Sequence, residues 1–352
     1  MKKVCILIQS LSAGGAEKQA CILARELASR CDVTVVTAAV LNSDSKNVAI
    51  LESASIHVSK LNSSGAVGQA WEFYKLVRHE KYDAIISYLM WGATLGGVVG
   101  KLAGVKIRIG GVRNAVLPGN KKWVNRLMQN WFNTLTIYNN HRGYDELSKQ
   151  GFKASRALVI PNSIDVPPMQ DERLRNQIPV ILSVGRFVEQ KDYSSALKVV
   201  KQLVDRGLTF KYVIVGYGVL ESEIRQSIKE LDLSHCVEIV INPPKVQDFY
   251  FKADIYFQTS LFEGLSNTVM EAMSCSLPCV VSDAGDNAHI IEEGKGGYVT
   301  QQKDLHQMEE RLYELLLNPE RRIAFGAFNR AKVWKTFAID AFRTKYFELL
   351  NL

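Results

Sequence analysis

Two glutamates, Glu263 and Glu271, are separated by seven residues in the segment Phe-Glu-Gly-Leu-Ser-Asn-Thr-Val-Met-Glu-Ala. Gly264 predicts a loop around Glu263, and Ser266 with Asn267 predicts the start of a helix that carries Glu271. Glycosidase carboxylates stand about 5–9.5 Å apart, whereas eight helical residues span about 12 Å. We therefore expect two separate hydrogen-bonding tasks along one elongated ligand. One carboxylate would meet sugar hydroxyls and the other a ribose diol, with phosphates at the helix start between them.

Two basic residues, Arg186 and Lys191, lie in the segment Gly-Arg-Phe-Val-Glu-Gln-Lys-Asp, directly after a predicted strand. A planar Arg fork and a Lys point charge suit a diphosphate leaving group, because negative charge builds on it as it departs. The alternative is a basic pair on a solvated loop.

Paired glycines, Gly14 and Gly15, follow the first predicted strand and open a helix. Glycines allow a ligand to approach the backbone closely, and a helix N-terminus offers N–H groups to a phosphate. The alternative is a tight turn in which Glu17 favours the helix start. The spacing differs from the GxGxxG fingerprint of dinucleotide-binding proteins.

Short apolar, β-branched segments alternate with amphipathic segments along the whole chain, which predicts parallel sheets covered by helices on both faces. Predicted strands cover residues 4–8, 33–37, 84–87, 107–110, 135–138 and 158–160, then 180–184, 212–215, 237–241, 255–258 and 279–281. Predicted helices include 17–29, 69–79, 124–132, 305–317, 319–334 and 338–350.

These patterns predict two domains. Residues 1–165 form the first and residues 166–335 the second, and a helix in 336–352 is expected to pack back on the first. A proline-containing polar segment at 161–168 marks the boundary. The expected fold class is α/β, with two Rossmann-like doubly wound domains facing across a cleft where loops after the strands bind ligands.

Charge is unevenly distributed between the halves. Residues 1–165 carry 21 Lys and Arg against 11 Asp and Glu, whereas the whole chain has a net charge of only +7. A basic half favours an anionic partner, although a merely solvated surface is the alternative. Six cysteines in mostly apolar segments predict reduced core residues of a cytoplasmic protein. The apolar stretch 84–100 is too short and polar to span a membrane, and predicts a strand, a loop and a packed helix.

The chain resembles the family 4 retaining glycosyltransferases of the GT-B architecture, of the bacterial polysaccharide, O-antigen and capsule type. Nearly the whole length carries the resemblance. The matching segments are Gly14-Gly15-Ala16-Glu17, 159–165, Ser183-Val184-Gly185-Arg186, Gln190-Lys191-Asp192, 215–218, 263–271 and Gly285-Asp286-Asn287 before Gly297.

The resemblance implies a retaining, metal-independent transfer of a hexose or N-acetylhexosamine from a nucleotide sugar, with UDP favoured as the nucleotide. Glu263, Arg186 and Lys191 would be the catalytic residues, and no cofactor is implied. The sequence agrees in containing no D-x-D triplet. The residues implied to bind the donor are Gly14, Gly15, Arg186, Lys191, Gly216, Glu263, Gly264, Leu265, Ser266, Asn267 and Glu271.

The acceptor side departs from the family pattern at Arg113, where many relatives carry a histidine that faces the sugar. Arg stays charged, so we expect Arg113 and Asn114 to meet an anionic part of the acceptor or the donor phosphates. A structural ion pair is the alternative. Lys121, Lys122 and Trp123 begin a basic, aromatic helix that suits an anionic membrane interface, unless its aromatic stripe is simply core. A lipid-linked or oligosaccharide acceptor and peripheral contact with the inner face of the plasma membrane would explain both features.

Three other functions are weighed against a transferase. A nucleotide-sugar epimerase would need further elimination chemistry, and beyond Glu263 no histidine or carboxylate set stands in motif positions. A nicotinamide oxidoreductase is not favoured, because this chain lacks the GxGxxG motif. It also lacks an acidic residue after the second strand, which ends Thr37-Ala38-Ala39. A non-catalytic, membrane-bound protein that binds a sugar or sugar nucleotide is the last alternative, and the four charged motif residues would be an unusual set to retain for that role. Nucleic acid is not expected as a partner, because no recognised binding module is present.

Overall fold

The computed structural model describes residues 1–12, 14–39, 46–113, 119–168 and 176–352. The chain divides into two compact units. Unit 1 comprises Met1–Ser163 with Asp340–Leu352, and unit 2 comprises Ile164–Ile339. The divisions fall close to residues 165 and 335, where the sequence predicts them.

Unit 1 is built on a seven-stranded sheet in which every pairing is parallel. Its strands are β1 (Lys2–Leu7), β2 (Cys31–Thr37), β3 (His57–Lys60), β4 (Ala84–Ser87), β5 (Ile107–Val112), β6 (Leu135–Tyr138) and β7 (Ala157–Val159). Its helices are α1 (Gly15–Ala28), α2 (Lys46–Ser53), α3 (Gly65–Glu80), α4 (Leu89–Leu102), α5 (Gly119–Leu127) and α6 (His141–Ser148), with a π-helix at Met128–Phe132 and a 3₁₀ turn at Ala154–Arg156.

Unit 2 is built on a six-stranded sheet, also parallel throughout. Its strands are β8 (Val180–Val184), β9 (Lys211–Gly216), β10 (Val237–Ile241), β11 (Ile255–Gln258), β12 (Cys279–Ser282) and β13 (Gly297–Thr300). Its helices are α7 (Tyr193–Asp205), α8 (Glu221–Glu230), α9 (Gln247–Lys252), α10 (Asn267–Ser274), α11 (Asn287–Ile290), α12 (Leu305–Leu317) and α13 (Pro319–Thr336), with a 3₁₀ turn at Glu189–Lys191. The chain then continues into α14 (Ile339–Leu350).

Both sheets are doubly wound, which confirms the predicted fold class of each unit. The strand order is β3-β2-β1-β4-β5-β6-β7 in unit 1 and β10-β9-β8-β11-β12-β13 in unit 2. The order reverses between β1 and β4 and between β8 and β11. At such a point the loops diverge to opposite faces of the sheet, and the carboxyl ends of the two strands border a crevice.

Each sheet is held by apolar side chains on both faces, as near-continuous apolar strands require. In unit 1, Leu7, Phe73 and Ile85 belong to one core cluster and are fully buried. In unit 2, Phe187 and Phe257 are fully buried in another. Burying a side chain of this size contributes about 1.5–3 kcal/mol, so packing rather than the site loops supplies most of the stability.

The structure corrects the predicted elements in three places. β3 and β13 are additional strands, and each lies at an edge of its sheet. The helix predicted at 124–132 instead ends at Leu127 and continues as the π-helix. Residues 84–100 were predicted as a strand, a loop and a packed helix; the strand and helix are confirmed by β4 and α4, but only Tyr88 lies between them.

The six cysteines are free thiols, and all but Cys236 are buried. Burial, with a smaller effect from the Glu17 charge, raises the pKa of the Cys21 thiol to about 12. The five buried cysteines are therefore core residues, as predicted, and burial of this kind disfavours the reactive thiolate. Within the described residues, no helix combines the length and the apolar character needed to span a bilayer.

Candidate functional site

The loops after β8 and β11 meet at the point where the strand order of unit 2 reverses. Lys191 Nζ lies 2.5 Å from Glu263 Oε1, with the two side chains 13% and 10% exposed. The Ser260 hydroxyl donates to the same oxygen at 2.8 Å. Folding thus joins two residues that are 72 positions apart in the chain. The sequence assigned both to one site, and the structure places them in direct contact.

Backbone and side-chain hydrogen bonds hold these two loops against each other. The Thr259 hydroxyl donates to the carbonyl oxygens of Lys191 and Asp192, both at 2.9 Å. The Gln190 amide donates to the Phe262 carbonyl at 2.7 Å, and the backbone N–H of Leu261 donates to the Gln190 carbonyl at 2.8 Å. The position of Lys191 therefore depends on the loop that carries Glu263.

Arg186 begins the same β8 loop but is exposed. No hydrogen bond or ion pair engages its side chain within the part of the chain that the structure describes. An exposed, uncommitted guanidinium next to a paired lysine is able to bind an anion with little loss of internal contacts. The two cations predicted to act together are thus held very differently.

Ser266 is the N-cap residue of α10, as predicted, but its side chain makes no capping hydrogen bond. Its hydroxyl accepts instead from the Gln258 amide at 3.0 Å. Glu263 and Gly264 lie on the loop before the helix, and Glu271 lies on the helix. The Ser266 side chain therefore leaves the N–H groups of the first turn to other partners, which suits an anion at this end.

Glu271 accepts a hydrogen bond from the Tyr250 hydroxyl, whose oxygen lies 3.0 Å from Glu271 Oε2. Tyr250 is on α9 and is 2% exposed. Burial, reinforced by the neighbouring Glu271 charge, raises the pKa of Tyr250 well above its usual value. The phenol is therefore protonated at neutral pH and acts as a donor that orients the carboxylate.

Two of the glycines in these loops are required by close backbone approach. A Cβ at Gly216 would lie 1.9 Å from the Gly185 carbonyl oxygen. Gly285 has a positive φ of 57°, and a Cβ there would lie 2.3 Å from the Gly264 carbonyl oxygen. Gly216, predicted to bind the donor, thus also allows the β8 and β9 loops to pack together.

The first glycine loop in unit 1 is less specialised. Gly14 is the N-cap residue of α1 in an ordinary extended conformation, and Gly15 begins the helix. A Cβ at Gly14 would lie 2.0 Å from Glu17 Oε2, the end of a flexible side chain. The predicted approach of a phosphate to this loop stays a prediction.

Arg113 makes internal contacts in unit 1. Its guanidinium donates to Asn162 Oδ1 and lies 4.7 Å from the centre of the Tyr88 ring. Asn162 directly precedes the last residue of the first segment of unit 1. Both of these partners are neutral, and within the described part of the chain they favour a packing contact over an ion pair. The acceptor contact of Arg113 stays a prediction. Asn114 lies outside the described residues.

Lys121, Lys122 and Trp123 lie on α5, and both tryptophans of this region are exposed, Trp123 by 60% and Trp131 by 61%. Lys153 Nζ lies 4.9 Å from the centre of the Trp131 ring. The simple core alternative therefore does not hold for these two rings. The π-helix places Trp131 outside the regular α-helical spacing that the sequence suggested.

Comparison with known proteins assigns the chain to a family. The family described as Glycosyl transferases group 1 matches residues 169–332, and Glycosyltransferase Family 4 matches residues 13–167. The chain belongs to glycosyltransferase family 4. The resemblance drawn from the motifs is thereby confirmed.

Bacterial glycosyltransferases are among the curated relatives of this family 4 chain. The amylovoran biosynthesis glycosyltransferase AmsK of Erwinia amylovora is 31% identical over 165 residues, which cover 45% of this chain and 40% of AmsK. The UDP-Gal:alpha-D-GlcNAc-diphosphoundecaprenol alpha-1,3-galactosyltransferase of Escherichia coli is 24% identical over 257 residues, 66% of each chain. The family 4 chain thus spans less than half of AmsK and about two thirds of the Escherichia coli relative.

Among solved structures, Anabaena HepE in complex with UDP has a TM-score of 0.86 against this family 4 chain. The likeness covers 100% of both chains at 19% sequence identity. It shows the fold, which is the predicted GT-B fold.

Several side chains at the family 4 site were not singled out by sequence reasoning: Tyr250, Gln258, Thr259, Ser260 and Ser282. Their types carry no distinctive chemistry, and their partners are remote in the chain. Position relative to a strand was the only available signal, because Thr259 and Ser260 directly follow β11 and Ser282 ends β12.

One group of side chains with metal-ligating types occurs in the described part of the chain, formed by His306, Glu309 and Glu310 of α12. Arg206 donates to carboxylate oxygens of both Glu309 and Glu310. These carboxylates already have a cationic partner, and the group lies on a helix rather than in the loops after the strands. Metal independence stays a prediction.

Proposed function

We propose that this family 4 chain is a retaining glycosyltransferase that transfers a hexose or N-acetylhexosamine from a UDP-sugar to a lipid-linked or polysaccharide acceptor. The observation that carries the proposal is the Lys191–Glu263 pair at the strand-order reversal of unit 2. It joins an anion-binding cation to a hydroxyl-binding carboxylate, which are the two groups that a sugar diphosphate requires.

In this mechanism Arg186 and Lys191 bind the donor diphosphate and stabilise the negative charge that develops as the bond from the anomeric carbon to the phosphate oxygen breaks. Glu263 accepts hydrogen bonds from the donor sugar, and Glu271, oriented by Tyr250, accepts from the ribose. The acceptor hydroxyl attacks from the face that the phosphate leaves. Its proton passes to the departing phosphate oxygen, which leaves as part of UDP. Because the new bond forms on the face that the old bond occupied, the anomeric configuration is retained.

The names of similar proteins support the donor and acceptor classes. The Escherichia coli relative is named for a UDP-galactose donor and an undecaprenol diphosphate acceptor. HepE was solved with UDP. AmsK is named for biosynthesis of the polysaccharide amylovoran.

The test is label transfer from a panel of nucleotide sugars into bacterial membrane extract, with EDTA present. We expect one UDP-sugar to label lipid-extractable or polysaccharide material, with the anomeric configuration of the product matching that of the donor by NMR. A requirement for added metal would overturn metal independence, and an inverted product would overturn the retaining mechanism. A sugar nucleotide that is only converted to its epimer would favour the epimerase.

We also propose peripheral contact with the inner face of the plasma membrane through α5 and the π-helix. Exposed Trp123 and Trp131 sit among lysines, and residues 1–165 carry the excess of positive charge. Tryptophans favour the headgroup region, and lysines are attracted to anionic lipid.

Cosedimentation with vesicles of phosphatidylglycerol and phosphatidylcholine tests this membrane contact. Trp123→Ala with Trp131→Ala should weaken binding about 10-fold or more to the anionic vesicles. The matched control is Trp334→Ala, a 51% exposed tryptophan on α13 of unit 2. Equal binding of all these proteins, or equal binding to vesicles of phosphatidylcholine alone, would contradict the proposal.

A further inference from the structure

A network of hydrogen bonds between buried polar groups lies beneath the loop that carries Glu263. The Asn287 amide donates to the Ser282 carbonyl at 2.9 Å. The Ser282 hydroxyl donates to the Ser260 carbonyl at 2.6 Å, and the Ser260 hydroxyl donates to Glu263 Oε1 at 2.8 Å. The ends of β11 and β12 and the start of α11 are thereby linked to one carboxylate.

The three residues beneath the carboxylate are inaccessible to solvent, because Ser260, Ser282 and Asn287 are each 0% exposed. The Asn287 amide also donates to Gln258 Oε1 at 3.0 Å. Buried polar groups are costly to leave unpaired, so each of these hydrogen bonds restricts its neighbours to one arrangement. The Ser260 hydroxyl is consequently fixed in place before any ligand binds.

Glu263 receives two donors on a single oxygen. Lys191 Nζ and Ser260 Oγ both contact Oε1, and within the described residues no hydrogen bond or ion pair reaches Oε2. An ionised carboxylate has about four acceptor positions on its two oxygens. Oε2 is therefore the oxygen left to accept from a ligand.

Lys191 alone would position Glu263 poorly. Its ammonium is a point charge on a flexible stem, and the terminal torsion of a glutamate is broad. A lysine that also binds the donor diphosphate must share its donors between two anions. A short, buried serine has neither limitation, because it has one rotatable hydroxyl and no competing ligand.

We propose that Ser260 is a positioning residue that holds Glu263 by Oε1 and reserves Oε2 for the donor sugar, with Ser282 and Asn287 fixing the backbone of Ser260. The inference rests on the proposed function, in which Glu263 binds the donor sugar. It assigns to Ser260 a role that acts through Glu263 and not through the nucleotide.

Calorimetric binding of UDP, UDP-glucose and UDP-galactose to the full chain tests this inference, alongside kcat and KM with the donor selected by the panel. Ser260→Ala should lower kcat about 10–100-fold, because small misplacements of a positioned group have effects of this size. The affinity for UDP should change less than about two-fold. The extra affinity that the sugar contributes should be lost to the same extent as in Glu263→Ala.

The double variant Ser260→Ala/Glu263→Ala separates a positioning role from an independent one. If Ser260 acts through Glu263, the double variant binds each UDP-sugar as Glu263→Ala does, because the two effects do not add. The matched control is Ser183→Ala, another buried serine whose hydroxyl donates to a backbone carbonyl, that of Phe257 at 2.6 Å. It should lower thermal stability like Ser260→Ala but leave kcat unchanged.

The two proposals fail differently. Wild-type protein that binds neither UDP nor a UDP-sugar would overturn the proposed function itself. Wild-type protein that transfers sugar, with Ser260→Ala no slower than Ser183→Ala, would overturn only the positioning role. Additive losses in the double variant would also overturn it.

Discussion

The strand-order reversals of the two units occupy the same topological position but carry different chemistry. After β8 and β11 in unit 2, the ion pair of Lys191 and Glu263 is almost fully buried beside the exposed Arg186. After β4 in unit 1, Tyr88 is covered by the Arg113 guanidinium. Gln19 of α1 exchanges hydrogen bonds with the backbone of Ser163, at 2.7 and 2.8 Å.

A shared topology therefore does not decide which unit carries the charged chemistry. Unit 2 places cations and carboxylates together on loops braced by backbone carbonyls, which suits a charged ligand. In unit 1 the side chains of Gln19, Tyr88 and Asn162 are neutral, and the guanidinium of Arg113 contacts the last two without a carboxylate among these partners. Gln19 and Arg113 thereby hold the end of the first chain segment. The basic character of unit 1 is instead at the surface, as on α5.

The largest expected effect is that of Glu263→Ala. It should lower transfer by about 100-fold or more while UDP still binds, because the lost hydrogen bonds involve the sugar and not the nucleotide. Steady-state kinetics and calorimetry measure the two effects. The matched control is Glu309→Ala, another glutamate whose side chain is nearly buried and paired with an arginine. If both variants lost transfer equally, the loss in Glu263→Ala would come from removal of a buried ion pair in general and not from a role at the donor site.

Removing either cation should cost about 2–4 kcal/mol of transition-state stabilisation, or about 30- to 1000-fold in kcat/KM. Thermal unfolding should distinguish the two, because Lys191→Ala leaves Glu263 without its cation, whereas Arg186→Ala breaks no ion pair among the residues that the structure describes. Lys201→Ala, which removes an exposed ion pair on α7, is the control. Unchanged activity in both Arg186→Ala and Lys191→Ala would refute the leaving-group assignment.

A smaller effect is expected at the ribose end of the site. Glu271→Ala should weaken UDP binding about 10-fold, and Tyr250→Phe should weaken it several-fold, because the carboxylate remains but loses its orienting donor. Tyr212→Phe removes another buried phenol hydroxyl, paired with Ser183, and should leave UDP affinity unchanged. Equal UDP affinity in wild type and Tyr250→Phe would show that Glu271 does not need the hydrogen bond from Tyr250.

The smallest effect on nucleotide binding is expected from Arg113→Ala in unit 1. Losing a charged hydrogen bond and a cation–π contact should lower the free energy of unfolding by about 1–3 kcal/mol, measured by urea denaturation, without changing UDP affinity. Any loss of transfer should then appear in the KM of the acceptor. A loss of UDP affinity as large as that of Glu271→Ala would contradict the division of tasks between the units.

Sequence periodicity identified most strands, including β4, β6, β8, β10 and β11 with their observed limits. β3 and β13 escaped detection because an edge strand need not be a continuous apolar segment. β3 is nowhere fully buried, and β13 begins with Gly297, whose absent Cβ would lie 1.9 Å from the Cys279 carbonyl oxygen. The close approach that requires this glycine exists only in the folded sheet.

Local spacing likewise determined the principal candidates of the site. Arg186, Lys191, Glu263 and Glu271 were predicted from their chemistry and from their positions after strands, which any parallel sheet brings to one edge. The contact of Lys191 with Glu263 was not predictable, because it depends on how two loops 72 residues apart are braced. The roles of Ser260 and Tyr250 have the same origin. A hydroxyl is chemically ordinary in the sequence, and only burial beside a carboxylate makes it a fixed donor.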